Sequence, residues 1–139
     1  HDTPTVAGFF AAEDARVRYE FGGIDAEALA QTQADRARAE ETLETSDPVR
    51  EIHRSLAKAN AGMVAVQLDD VAQSRDQQNL PGTIDTYPNW RLKSPFTLNE
   101  IATSDAFTQL AGDMQSQGRS NLKGMEKEND LQHCSNDAH

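Results

Sequence analysis

The apolar positions fall into distinct patterns along the chain. Val49, Ile52, Leu56 and Ala59 recur at spacings of three and four, which puts them on one face of a helix. Ser46-Asp47-Pro48 opens that helix: a capping residue is followed by proline at the first helical position, where its missing N–H removes no helical bond. Asn60-Ala61-Gly62 stops it. Phe107, Leu110, Ala111 and Met114 repeat at i, i+3, i+4 and i+7 and predict a second amphipathic helix. Ahead of it, Thr97 and Glu100 have capping-box spacing. Residues 26–45 are rich in Ala, Glu, Gln and Arg. With Asp25 as N-cap and Glu27 in the positive first turn, they predict a helix with a thin apolar stripe and a solvated opposite face. Arg36 and Glu40 are spaced to pair on it. Gly22-Gly23 breaks the chain before this helix. The opening, His1 to Phe10, reads as a loop running into a short helix with Pro4 in its first turn.

Met63-Val64-Ala65-Val66-Gln67-Leu68 is different: short, nearly continuous in apolar residues and placed after a glycine stop. It predicts a strand buried on both faces of a parallel sheet, with a buried helical turn as the alternative. Asp69 to Thr86 is polar and turn-rich. The predicted order is helix, helix, buried strand, long loop, helix. A single parallel strand cannot satisfy its own backbone groups, so this pattern calls for neighbouring strands that the chain does not supply.

Composition sharpens the picture. The 139 residues are 37% hydrophobic, lean for a self-contained globule, and carry a formal net charge of −10. That balance argues against binding nucleic acid by phosphate neutralisation and against a polybasic membrane anchor. No apolar run approaches the roughly 18 residues that would span a bilayer. The lone cysteine, Cys134, forms neither an internal disulfide nor a structural zinc site, and a reducing cytoplasm is the expectation. His53, His133 and His139 show no metal-ligand spacing, so no metal is expected. The chain opens on His1 with no signal-peptide pattern, which suggests a processed, excised or incomplete polypeptide. Gln117 to His139 is mostly polar and reads as a loose tail, dividing the chain into residues 1–115 and 116–139.

Most chemistry-bearing residues have plain structural readings. Asp69-Asp70 reads as a helix cap, and the charges from Arg36 to Glu44 as a solvated face. Two segments are less easily dismissed. His1-Asp2-Thr3-Pro4-Thr5 places an imidazole, a carboxylate and hydroxyls together on a loop. Asn79-Leu80-Pro81-Gly82-Thr83-Ile84-Asp85-Thr86-Tyr87-Pro88-Asn89-Trp90-Arg91 follows the predicted strand, in the region where barrels and open sheets carry their sites. Its amides suit sugar hydroxyls and its aromatics suit sugar rings.

Both segments resemble one family. His1-Asp2-Thr3-Pro4-Thr5-Val6-Ala7-Gly8-Phe9-Phe10 is similar to the His-Asp-x-Pro-Thr-x-x-Gly-aromatic-aromatic segment of amylomaltases, the 4-α-glucanotransferases of glycoside hydrolase family 77. Asn79 to Arg91 is similar to the same family's Asn-x-Pro-Gly-Thr…Tyr-x-Asn-Trp-Arg segment. The resemblance covers roughly residues 1–115. It implies the C-terminal portion of a (β/α)8 TIM-type barrel, an α/β fold that is predominantly helical here with about one buried parallel strand, Met63–Leu68 as strand eight. It implies a retaining transfer of α-1,4-glucan segments between maltooligosaccharides or starch-derived α-glucans, with no cofactor. Such a transfer needs a carboxylate nucleophile and a carboxylic acid/base. In the family both precede the His-Asp segment, so this chain contains neither and needs the N-terminal part of the same enzyme. Asp2 matches the third carboxylate, which stabilises the transition state, and His1 its neighbour. Asn79, Pro81, Gly82 and Thr83 would border the sugar cleft or shape the turn there, and Trp90 is expected to pack. The rival reading is a non-catalytic, acidic helical interaction module built on residues 26–61.

Overall fold

A computed structural model describes residues 3–119. Within them lie α1 (Val6–Phe10), α2 (Glu13–Glu20), α3 (Ala26–Glu41), α4 (Pro48–Lys58), α5 (Leu68–Val71), α6 (Leu98–Ala102) and α7 (Asp105–Ser116). No strand forms among the described residues.

Local chemistry explains most of these helices. Asp25 and Asp47 cap α3 and α4 by accepting from the N–H groups of Ala28 and Arg50. Pro48 sits at the start of α4 as its sequence demands. Thr97 and Glu100 close a full capping box on α6, two otherwise orphaned donors being satisfied reciprocally. Thr5, rather than Pro4, marks the start of α1: its Oγ1 accepts from Gly8 N–H at 3.0 Å. The predicted helix at 26–45 ends at Glu41. Its half-buried positions, Leu29, Thr32, Arg36, Ala39 and Leu43, trace a single narrow stripe. Arg36 does not serve that solvated face. Its guanidinium turns inward, donating to Phe9 O at 3.0 Å, approaching Asp14 Oδ2 at 3.6 Å and lying 3.4 Å from the centre of the Phe9 ring. A buried carboxylate, a carbonyl and an aromatic face outcompete an exposed Glu40, whose pairing would yield only about 0.3 kcal/mol.

The predicted strand Met63–Leu68 is a correction. Residues 63–67 are irregular, Met63 is 86% exposed, and Leu68 opens helix α5. A parallel strand exists only through ladder bonds to strands beside it, and no described residue supplies a ladder. Without them its backbone turns to water.

The core that does form is small. Val71, Ile101 and Leu110 are buried together, with Val66, Ala72 and Met114 packed against them. It therefore joins α5, α6 and α7 to the end of the Met63–Leu68 segment. α4 packs on α7, and Arg50 ties them by donating from Nε and Nη2 to the two Asp113 oxygens at 2.7 and 3.2 Å. The Arg50 guanidinium holds the Asp113 carboxyl below the usual carboxylate range.

α7 runs through Ser116 and closes in a Schellman arrangement: Arg119 N–H donates to Met114 O at 3.0 Å, Gly118 N–H to Gln115 O at 2.9 Å, and Gly118 sits at φ +74°. The Arg119 guanidinium then donates to the carbonyls of Ala57 (3.0 Å), Ala59 and Ala61, collecting the open end of α4. The rest of the predicted tail, including Cys134, His133 and His139, lies outside the described residues.

Candidate active site

Asn79, Pro81, Gly82 and Thr83 sit in one tight turn, which the polar groups of Leu80, Thr83 and Asn89 hold. Thr83 N–H and Thr83 Oγ1 both donate to Leu80 O, at 3.2 and 2.7 Å. Gly82 takes φ +86°, a left-handed backbone that a side chain would strain. Asn89 crosses back over the turn: its Oδ1 accepts from Leu80 N–H at 2.8 Å, and its Nδ2 donates to Thr83 O and Thr83 Oγ1 at 3.0 and 2.9 Å. One amide thus fills the bonding needs of three groups. Leu80 is buried beneath, and Tyr87 Oη donates to Gln77 O. Burial raises the Tyr87 phenol above its ordinary value. Phe21 meets the Tyr87 ring edge-on at 6.2 Å between centroids. Asn79 and Thr83 are half-buried, while Pro81 and Gly82 face solvent.

Trp90 departs from expectation. It is 60% exposed and takes φ +60°, unusual for a bulky residue. Its N–H donates to Gln78 O at 2.8 Å, and that cross-loop bond fixes the turn.

His1 and Asp2 lie outside the described residues. The segment just after them is anchored firmly. Thr5 Oγ1 donates to Ser74 O at 2.6 Å, and Val6 N–H donates to Asp70 Oδ1 at 2.7 Å. Gly8 is buried so closely under Arg75 that a methyl group there would lie 2.4 Å from the Arg75 carbonyl oxygen. Asp70, expected to cap its own helix, instead supplies an acceptor to the first turn of α1.

Asp70 is in turn held by His53, which is 2% exposed. His53 Nδ1 lies 2.8 Å from Val49 O, and Nε2 lies 3.4 Å from Asp70 Oδ2. A carbonyl and a carboxylate both only accept, so both ring nitrogens act as donors and the arrangement favours imidazolium. The Asp70 bond raises the His53 pKa, against the opposing effect of burial. The sequence names Asp70 only as a helix cap and His53 only as a histidine without metal-ligand spacing: they stand 17 positions apart, and no local spacing signals a contact made because α4 and α5 both pack on α7. Asn89 was visible in the quoted motif, but its cross-bonding was not. Among the described residues no cluster of His, Cys, Asp or Glu could hold a metal ion, and no helix is long and apolar enough to cross a membrane.

The two anchored segments coincide with a family match. The glycoside hydrolase 77 family model, 4-alpha-glucanotransferase, matches residues 1–98. This chain belongs to that family. A 4-alpha-glucanotransferase of Mycobacterium tuberculosis (strain ATCC 25618 / H37Rv) is 32% identical to it, the match covering 80% of this chain and 18% of the relative. A 4-alpha-glucanotransferase of Haemophilus influenzae is 27% identical, covering 79% of this chain and 20% of the relative. The chain thus spans about a fifth of the length of the curated relatives it matches. No solved structure matches it. Membership of the 4-alpha-glucanotransferase family does not favour the reading of residues 26–61 as a separate interaction module.

Proposed function

We propose that this chain is the C-terminal part of a 4-α-glucanotransferase that passes α-1,4-glucan segments between maltooligosaccharides with retention of configuration. The observation that carries this is the family match over residues 1–98, which takes in both the His-Asp and the Asn-Leu-Pro-Gly-Thr segments. On this reading the nucleophile and the acid/base come from polypeptide N-terminal to His1, and that same polypeptide supplies the strands that would pair with Met63–Leu68 in a (β/α)8 barrel. Asp2 acts as the third carboxylate. Its bonds to ring hydroxyls strengthen as positive charge develops at the anomeric carbon, which lowers the barrier without a covalent step. His1 supports it, and the turn at Asn79–Thr83 forms part of the rim of the glucan cleft. The reaction occurs in the cytoplasm and draws on no cofactor.

The test is disproportionation of maltotriose, followed by chromatography of longer maltooligosaccharides. The full-length enzyme is expected to produce them, and Asp2→Asn to lose activity by about a hundredfold or more. The isolated 139-residue chain is expected to produce none. Clear disproportionation by the isolated chain, or full activity of Asp2→Asn, would overturn the assignment.

A further inference from the structure

A cavity of about 330 Å³ opens between α1, the last turn of α3, the start of α4 and residues 73–75. Phe10 forms an apolar wall, and Glu40, Ser46, Asp47, Gln73 and Arg75 supply polar groups around it. The side chains of Glu40, Ser46, Gln73 and Arg75 make no hydrogen bond or ion pair among the described residues. Asp47 is engaged, since its carboxylate accepts from Arg50 N–H.

The walls are held by contacts behind them. Thr5 Oγ1 donates to Ser74 O, and Gly8 lies directly under Arg75 O, which pins residues 74 and 75 against α1. Arg36 ties α3 to α1 through Phe9 O. Phe9 meets Phe10 edge-on at 5.3 Å, which steadies the Phe10 ring. Gln73 follows α5 in a Schellman arrangement: its N–H donates to Asp70 O at 3.0 Å, and Ser74 N–H donates to Asp69 O at 2.9 Å. Gln73 takes φ +52°, at a position that usually holds glycine. A side chain there carries strain, and this one places an amide on the cavity wall.

We propose that this cavity binds a glucose unit of an α-glucan chain, with Arg75 and Gln73 as its chief contacts. The inference rests on the reading of the parent enzyme as a 4-α-glucanotransferase. Sugar hydroxyls both donate and accept. Arg75 offers donors, Glu40 acceptors, and Gln73 and Ser46 both. The C–H faces of a pyranose suit the Phe10 ring. An anion fits poorly: Arg75 would attract it, but Glu40 and Asp47 flank the same space, and the Asp47 carboxylate already occupies the positive end of α4. An apolar molecule would leave the polar groups without partners. The volume, about 330 Å³, lies at the small end of ligand pockets, which run from about 300 to 1,000 Å³, and so suits part of a chain rather than a whole oligosaccharide.

The test uses the full-length enzyme and a maltopentaose with sulfur in its glycosidic links, which resists cleavage. Hydrogen exchange is expected to slow over residues 73–75 and the first turn of α4 as this sugar is added. The sugar concentration that gives half of that protection reports the affinity of this cavity, and thermal melting checks folding. Arg75→Ala is expected to raise the concentration about tenfold, the share of one hydrogen bond to a charged group. Gln73→Gly is expected to raise it severalfold and yet to melt at or above the parent, because glycine relieves the φ +52° backbone. A purely structural role would not separate those two readouts. No protection of residues 73–75 by the sugar would overturn the proposal. So would parental affinity in either folded variant, a Gln73→Gly enzyme that melts below the parent, or equal protection by inorganic phosphate. Should Arg75→Ala fail to fold, Gln73→Gly decides alone. Disproportionation of maltotriose is measured alongside. If the parent shows none while the sugar still protects residues 73–75, the functional reading has failed and the site stands; if it disproportionates without that protection, only the site has failed.

Discussion

Replacing a helical glycine by alanine should have opposite effects at two places in this chain. Gly8 lies inside α1 and Gly112 inside α7. In an open helix interior the change gains up to about 1 kcal/mol, because alanine gives up less backbone entropy on folding. At Gly112 a new Cβ meets nothing within 4 Å, so that gain should be realised. At Gly8 it would lie 2.4 Å from Arg75 O and 2.9 Å from Thr5 Oγ1. The first contact is with backbone, which cannot rotate aside. Overpacking of this kind costs about 1–3 kcal/mol. Displacing Thr5 Oγ1 weakens its bonds to Ser74 O and Gly8 N–H, each worth about 1 kcal/mol. Set against the helix gain, Gly8→Ala should lose about 2–4 kcal/mol net. For a chain of this size that lowers Tm by about 10 °C, while Gly112→Ala raises it by about 3 °C. Thermal melts followed by circular dichroism on the parent and both variants decide the matter. A Gly8→Ala protein that melts at or above the parent would refute the argument, because it would mean that residues 5–8 do not sit against Arg75 as described.

The His53–Asp70 pair makes stability depend on pH. The His53 pKa is raised from an ordinary value of 6.5 by its bond to Asp70, with Asp47 and Arg50 lining the same small cavity. A raised folded-state value means that the contribution is complete below pH 6.5 and is lost as pH climbs through the raised value. The Tm difference between the parent and His53→Gln should therefore shrink as pH rises above 6.5; a difference that grows would contradict the pairing. Asn89→Ala removes the bonds to Leu80 N–H, Thr83 O and Thr83 Oγ1. It should cost about 2–3 kcal/mol in urea unfolding and expose the Leu80 amide to exchange; an unchanged exchange rate there would show that the turn holds itself. Ile101→Ala opens the small core formed with Val71 and Leu110. A loss of about 2–4 kcal/mol is expected from the denaturant midpoint, and one below about 1 kcal/mol would mean that this cluster contributes little.

Local signals in the sequence determined the helices that begin and end on their own chemistry. The caps at Asp25, Asp47 and Thr97, with Pro48 behind the second, satisfy orphaned N–H groups within three residues, so they are legible without any fold. The two motif segments were legible for the same reason: each is a contiguous string. Tertiary structure decided everything that needed a partner from elsewhere. Met63–Leu68 has a strand's composition but adopts none, because ladder bonds come from other strands and not from the segment itself. Arg36 abandons Glu40 for Phe9 and Asp14 because packing α3 on α1 and α2 offers better-desolvated partners. Asp70 caps α1 across 64 residues, and His53 reaches Asp70 only because α4 and α5 both pack against α7. Spacing encodes contacts along a helix or a turn. Contacts between elements depend on packing distances that no spacing records.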